Sequence, residues 1–281
     1  MNYKKIGVVG SGYVGSALAE GMNAFYDVHT YDKYKNSTSA SIEELCEATK
    51  IIFICVPTPM NPDGSCNLDI VESVIKEIDQ YSKNHIAVIK STIPPGTTER
   101  LNLQCQDLKI VFSPEFLTEA NFIEDFKNPT RIVVGGPRPA STIIKNIFRK
   151  VFPDVPIIKT GSNTAEMVKY FLNTFLATKV SFSNEIKQIC DQLNIDYDKV
   201  VEYGLYDTRL GKTHFSAPGP DGHHGFGGSC FPKDINALIF LSRQLGVEPR
   251  LLNAVWEKNL QVREQKDWER LVGRAVTKNK E

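Results

Sequence analysis

The chain has 281 residues, 41% hydrophobic and 23% charged, the balance of a soluble globular protein long enough for two domains. Lysine plus arginine and aspartate plus glutamate both total 33, so the net charge is zero and no basic surplus argues for nucleic acid or membrane. The longest strongly apolar run, residues 51–56, is far too short to span a bilayer, and six scattered cysteines without a C-x-x-C pair or zinc spacing suit a reducing cytoplasm.

The strand-like run Lys5–Val9 begins almost at once, which leaves no room for a signal peptide. It leads into Gly10-Ser11-Gly12-Tyr13-Val14-Gly15 and a helix-like segment. G-x-G-x-x-G between a strand and a helix allows a tight turn, close approach of a pyrophosphate and close helix–strand packing. The next strand ends at Asp32, where a carboxylate binds a ribose and disfavours a 2′-phosphate, hence NAD over NADP. Lys33 and Lys35 nearby pull the other way, and a solvated aspartate is the plain alternative. Ser41 and Glu44 have capping-box spacing. Strands are expected over residues 51–56, 86–90, 109–112, 131–134 and 155–159, with helices over 68–81 and 140–152. The alternation predicts a Rossmann-like, doubly wound parallel sheet over residues 1–160. Thr58, Thr92 and the segment after Phe112 fall at carboxyl ends of strands, where such sheets bind ligands. If that last segment coils, Glu115 and Glu119 stack one turn apart, as acid–base groups or as a solvated face.

From Ser162 to Asn194 no glycine or proline interrupts a helical apolar pattern, so a long helix opens an all-helical domain over residues 161–281 and offers a dimer spine. Lys169 and Asn173 share one face of it, either as a snorkelling lysine and a satisfied asparagine or as two donors for an alcohol oxygen. A short helix over 197–203 precedes a long irregular span, residues 207–231. Its His223-His224 pair has no third ligand at useful spacing, so no metal is expected. Amphipathic helices are expected over 234–245 and 249–276, and the polar tail from Thr277 is expected to fray.

The irregular span ends in Gly225-Phe226-Gly227-Gly228-Ser229-Cys230-Phe231-Pro232-Lys233-Asp234. The glycines let backbone approach a ligand, Pro232 fixes the turn, and charges flank a lone thiol. A thiol acts as a nucleophile in its thiolate form, which neighbouring positive charge favours. A buried, inert cysteine in a glycine-rich turn is the alternative.

These stretches, with Val56-Pro57-Thr58-Pro59, residues 90–96, 112–119, 128–135, 166–173, 207–211 and 218–234, occur in an order that resembles the UDP-glucose/GDP-mannose dehydrogenase family over essentially the whole chain. The resemblance implies NAD-dependent four-electron oxidation of a nucleotide-sugar primary alcohol to a carboxylate, with UDP-glucose the first expectation. Cys230 would be the nucleophile, forming a thiohemiacetal and then a thioester, with Lys169 and Asn173 stabilising the oxyanion. Glu115 would activate water, with Asp234 and Thr92 helping. Gly10, Gly12, Tyr13, Val14, Gly15, Asp32, Thr58, Thr92, Glu119 and Lys233 match NAD-contacting positions. Glu115, Phe116, Leu117, Glu119, Lys169, Asn173 and Gly227 match substrate-binding positions, and Arg209 matches an arginine supplied across a homodimer. Members normally continue into a third domain, which is expected to be absent here, the chain ending at Glu281. The competing expectations are a single-step β-hydroxyacid dehydrogenase, which needs no thiol, and a non-catalytic member that binds NAD or a partner.

Overall fold

Short β-branched runs alternating with amphipathic segments specify strands covered on both faces. The computed structural model describes residues 3–278, so the last three residues of the tail expected to fray lie outside it. The chain divides into two units: residues 1–58 with 68–169, and residues 59–67 with 170–281.

The first unit holds β1 (Lys5–Val9), β2 (Asp27–Tyr31), β3 (Ile51–Ile54), β4 (Ile86–Ile89), β5 (Lys109–Phe112), β6 (Ile132–Gly135) and β7 (Ile157–Thr160). They form one sheet in the order β2-β1-β3-β4-β5-β6-β7. Period-two alternation divides its core. Ile6, Val8, Phe53, Val88, Val111 and Val134 face one layer, and Val9, Ile52, Ile54, Ile89, Ile110 and Phe112 face the other. The helices are α1 (Tyr13–Met22), α2 (Ile42–Ala48), α3 (Asp69–Gln80), α4 (Thr97–Gln104), α5 (Phe122–Lys127) and α6 (Ala140–Val151). Ser41 caps α2, its Oγ accepting from Glu44 N at 3.1 Å.

Two details depart from the sequence expectation. The third strand stops at Ile54, since Pro57 has no N–H and the carbonyl of Val56 is taken by the Ser91 hydroxyl at 2.6 Å. β5 and β6 are antiparallel, meeting at Phe112 and Gly135, so the sheet is not wholly parallel. The connection between them first docks α5 on α1, where Gly21 leaves room for the Phe126 ring: a Cβ there would lie 2.3 Å from it. β1 lies between β2 and β3, so the order reverses at the strand that feeds the glycine loop, the place where such sheets bind ligands.

The second unit is helical. α7 (Ser162–Gln192) has 31 residues, about 46 Å at 1.5 Å per residue, and carries the chain out of the first unit. α8 (Tyr197–Gly204), α9 (Phe231–Gln244) and α10 (Arg250–Val262) follow. Ala177 of α7, Ile235 and Ile239 of α9 and Val255 of α10 close a small core around Phe226. The helix expected over 249–276 ends at Val262 instead. Arg263 turns extended and buried, and the remaining chain folds back to pair with residues 59–67: Met60 N donates to Ala275 O at 2.8 Å, and Thr277 N to Met60 O at 2.9 Å.

Candidate active site

In the first unit the three glycines of the β1–α1 loop differ in what surrounds them. Gly10 has φ +94°, and a Cβ there would sit 2.6 Å from the carbonyl oxygen of Cys55. At Gly15 a Cβ would collide with the Gly10 carbonyl at 1.8 Å, so this glycine lets helix and loop pack. A Cβ at Gly12 would meet nothing within 4 Å. The loop therefore leaves open space at the N-terminus of α1, where the first-turn amides and the helix dipole favour an anion such as a pyrophosphate. Asp32 faces the same loop: Oδ2 accepts from Ser11 N at 2.7 Å, and Oδ1 from Tyr34 N and Lys35 N at 2.8 and 3.1 Å. Partial burial pushes its pKa up, but these amides and the Lys35 charge outweigh it and hold the carboxyl below its ordinary value. Lys35 bonds Ser11 O at 2.6 Å. Tyr13 is half-exposed and meets Phe122 edge-on at 5.0 Å. An open glycine, a helix start and an ionised carboxylate at the end of β2 fit a dinucleotide.

Thr58 is buried and Thr92 half-buried, each just beyond a strand's carboxyl end. The loop carrying Thr92 is anchored by Glu166 of α7, which is fully buried and accepts from Gly96 N and Thr98 N at 2.7 and 2.8 Å. Burial raises the Glu166 pKa against the pull of those amides.

The segment after β5 is neither helix nor strand through Thr118, so Glu115 and Glu119 do not stack as a helical pair: Glu115 is held inward while Glu119 is exposed. Glu115 Oε2 lies 3.1 Å from Lys90 Nζ, and Oε1 accepts from Phe116 N at 2.8 Å. Lys169 Nζ donates to the Glu115 carbonyl at 2.6 Å. The Phe116 ring carries two cations, Arg131 at 4.3 Å and Lys169 at 5.7 Å. Leu117 packs on the sheet's core, and Thr118 is tied to Asp125 through N and Oγ1 at 2.7 and 2.6 Å. Behind this loop lies a cavity of about 210 Å³, bordered by Lys90, Glu115, Thr118, Asp125, Arg131 and Phe148 among others.

In the second unit Cys230 is the N-cap of α9, with Pro232 in the first turn, where its missing N–H costs no helical bond. The sulfur is half-buried, 3.8 Å from Ser229 Oγ. Asp234, 1% exposed, accepts from Asn173 Nδ2 and from Lys233 Nζ. Burial pushes the Lys233 pKa down, but the Asp234 carboxylate and the Cys230 and Cys66 sulfurs outweigh it and raise it on balance. A thiol at the start of a 14-residue helix, with an ammonium inside its first turn, sits where negative charge is favoured. Burial pushes the thiols of Cys46 and Cys105 up to about 11 and that of Cys55 up to about 12.

The glycines before Cys230 turn out to serve mainly the protein's own side chains. A Cβ at Gly225 would lie 2.4 Å from Asn259 Oδ1, and one at Gly227 would lie 2.2 Å from Asp267 Oδ1. Only Gly228, at φ +71°, has open space around its missing Cβ. Asn259 pairs with both backbone groups of Phe226, accepting from N at 2.7 Å and donating to O at 3.0 Å. Asp267 accepts from Gly228 N at 2.8 Å, and buried Arg263 joins Asp267 (3.0 Å), Asp221 (2.7 Å) and Gln265 O (3.0 Å). Sequence reasoning missed this clamp and the roles of Glu166 and Lys90, because each acts across a long separation with no local signature. Arg209 lies at the surface, its Nε shared between the two oxygens of Asp207 at 2.9 and 3.0 Å.

Residues 25–153 match the NAD binding domain, and residues 163–261 the central domain, of the UDP-glucose/GDP-mannose dehydrogenase family. The putative UDP-glucose 6-dehydrogenase YtcA of Bacillus subtilis is 34% identical over 294 residues, covering 91% of this chain and 67% of its own. This chain belongs to the UDP-glucose/GDP-mannose dehydrogenase family. A GDP-mannose 6-dehydrogenase of Pseudomonas savastanoi pv. phaseolicola is also 34% identical, over 77% of this chain and 52% of that enzyme. The structure of a UDP-glucose dehydrogenase from the archaeon Pyrobaculum islandicum superposes with a TM-score of 0.84 at 32% identity, over 92% of this chain and 68% of that one. Against four relatives aligned with about nine-tenths of it, the chain spans 63 to 69% of their length. Among the described residues no helix is long and apolar enough to cross a membrane, and no three His, Cys, Asp or Glu side chains form a metal-binding group.

Proposed function

We propose that this family member oxidises the primary alcohol of a nucleotide sugar to the carboxylate in two steps, taking UDP-glucose to UDP-glucuronate, with Cys230 as the covalent nucleophile. The observation that carries this reading is the thiol at the start of α9, half-buried in the same first turn as the Lys233–Asp234 pair, whose buried Asp234, four residues on, also bonds Asn173. Bound NAD supplies the hydride acceptor for each oxidation. The first oxidation converts the alcohol to an aldehyde, and the Cys230 sulfur adds to the carbonyl carbon to give a thiohemiacetal. Lys169 and Asn173 act as donors to the oxygen that gains charge in these steps. The second oxidation leaves a thioester on Cys230, and Glu115, with Asp234 and Thr92, directs water onto it. Overall, one alcohol, two NAD and one water give one carboxylate, two NADH and three protons.

In this reading residues 1–160 form the NAD-binding domain, where Gly10, Gly12, Tyr13, Val14, Gly15, Asp32, Thr58, Thr92 and Glu119, with Lys233 from the second domain, hold the cofactor. Residues 161–281 form the helical domain, with Arg209 and Gly227 toward substrate. The exposed stripe Phe171, Phe175, Phe182 and Ile189 along α7 supports pairing of two copies. GDP-mannose is the competing substrate, since relatives acting on either sugar nucleotide are about equally similar. Incubating the purified chain with NAD and each sugar nucleotide, with mass analysis of the product, decides between them. UDP-glucuronate is the expected product, and a uronate from GDP-mannose alone would overturn the substrate assignment.

A further inference from the structure

The fold ties the loop carboxylate of Glu115 to a cation on the sheet. Lys90 follows β4, its backbone N bonded to Ile54 O at 2.9 Å, and its side chain is 4% exposed. A buried ammonium needs partners. Those of Lys90 Nζ are Glu115 Oε2 at 3.1 Å and the Pro114 carbonyl at 3.4 Å, with the Phe148 ring 5.6 Å away. Two lysines thus hold Glu115 from two rigid elements: Lys169 of α7 grips its backbone carbonyl and Lys90 its carboxylate. The backbone of this loop is neither helix nor strand, so nothing in it alone fixes where the carboxylate points. Both Lys90 and Glu115 border the cavity of about 210 Å³, well above the roughly 10–15 Å³ that one water needs.

We infer that Lys90 is a positioning residue for thioester hydrolysis, holding the Glu115 carboxylate in the direction from which it deprotonates the attacking water; this rests on the role given to Glu115 above. In that step the water oxygen bonds to the thioester carbonyl carbon and Glu115 takes one of its protons. The C–S bond breaks, its electron pair leaves on the Cys230 sulfur, and the carboxylic acid formed loses its proton to solvent. No electrons are transferred. In this role Lys90 acts through Glu115.

The test compares Lys90→Gln, Glu115→Gln, the double variant and Lys90→Arg in the full chain. Each is mixed with UDP-glucose and NAD, NADH is followed from the first turnover, and intact-protein mass reads the uronyl group on Cys230. Lys90→Gln is expected to keep the initial NADH burst within about threefold, lose about tenfold or more in steady turnover, and accumulate the acyl-enzyme; Lys90→Arg restores most of the turnover. The double variant buries no lone charge, so it bears on the inference even if Lys90→Gln does not fold. It is expected to match Glu115→Gln in turnover and acyl-enzyme, whereas a further tenfold loss would mean that Lys90 acts independently and overturn the inference. Accumulation in Glu115→Gln with burst and turnover falling equally in Lys90→Gln, without acyl-enzyme, would also overturn it while leaving the Glu115 reading intact. No accumulation in Glu115→Gln, or no NADH from the parent chain, removes that reading and this inference together.

Discussion

Asn259→Leu isolates the force that holds the cysteine loop. Asn259 is fully buried and satisfies both the N–H and the C=O of Phe226, itself in the core. Leucine keeps the branching and the number of side-chain heavy atoms, with bulkier methyls in place of the amide, so the change opens no cavity but strands two buried backbone groups. Each unsatisfied group costs about 1–3 kcal/mol, so the variant should lose about 2–6 kcal/mol. At an m-value of about 2 kcal/mol/M in urea this moves the midpoint down by about 1–3 M. The two tryptophans, Trp256 and Trp268, both lie in this unit with ring centroids 5.4 Å apart. Their fluorescence therefore follows unfolding of the helical unit, apart from that of the sheet. A midpoint within about 0.25 M of the parent would refute the idea that this paired contact fixes the loop.

Glycine substitutions separate ligand space from packing. Gly12→Ala should melt like the parent yet bind NAD about tenfold or more weakly, whereas Gly15→Ala, with its Cβ 1.8 Å from Gly10 O, should lower the melting temperature; isothermal titration with thermal scans checks both. His85 is buried, its Nε2–H donating to Cys46 O at 2.8 Å and its Nδ1 accepting from Lys83 N at 2.9 Å, and burial lowers its pKa from the ordinary 6.5. The folded protein thus resists a proton that the unfolded chain accepts, so this contribution is complete above about pH 6.5 and is lost as the pH falls below it toward the folded value. His85→Phe should shrink the difference in unfolding free energy between pH 7.5 and 5.5, and an unchanged difference would count against it. Phe175→Asp, in the stripe where Phe171 and Phe175 stack at 6.3 Å, should turn a dimer into a monomer by light scattering. A parent chain that is already monomeric would remove that proposal.

Local patterns carried much of this structure. The G-x-G-x-x-G loop, the β2 aspartate and the 31-residue helix follow from glycine sterics, strand alternation and an uninterrupted apolar repeat, all readable within a few residues. Period-two patterning does not report strand direction, so the antiparallel step at β6 was hidden. Amphipathic composition over residues 249–276 read as helix, but Arg263 leaves that path for acceptors on Asp221, Gln265 and Asp267 that no pattern announces. The glycines of the cysteine loop were read as room for a ligand, and two of the three instead make room for Asn259 and Asp267. Lys90 and Glu166 begin two of the segments that carry the family resemblance, but their roles could not be read because these buried charges acquire meaning only from partners 25 and about 70 residues away.

The most direct measurement of the central claim counts NADH formed per UDP-glucose consumed, for the parent chain and for Cys230→Ser. Two NADH per sugar nucleotide from the parent, and a severe loss of turnover in the variant, are the predicted results. Undiminished formation of two NADH and UDP-glucuronate by Cys230→Ser would contradict the covalent thiol mechanism.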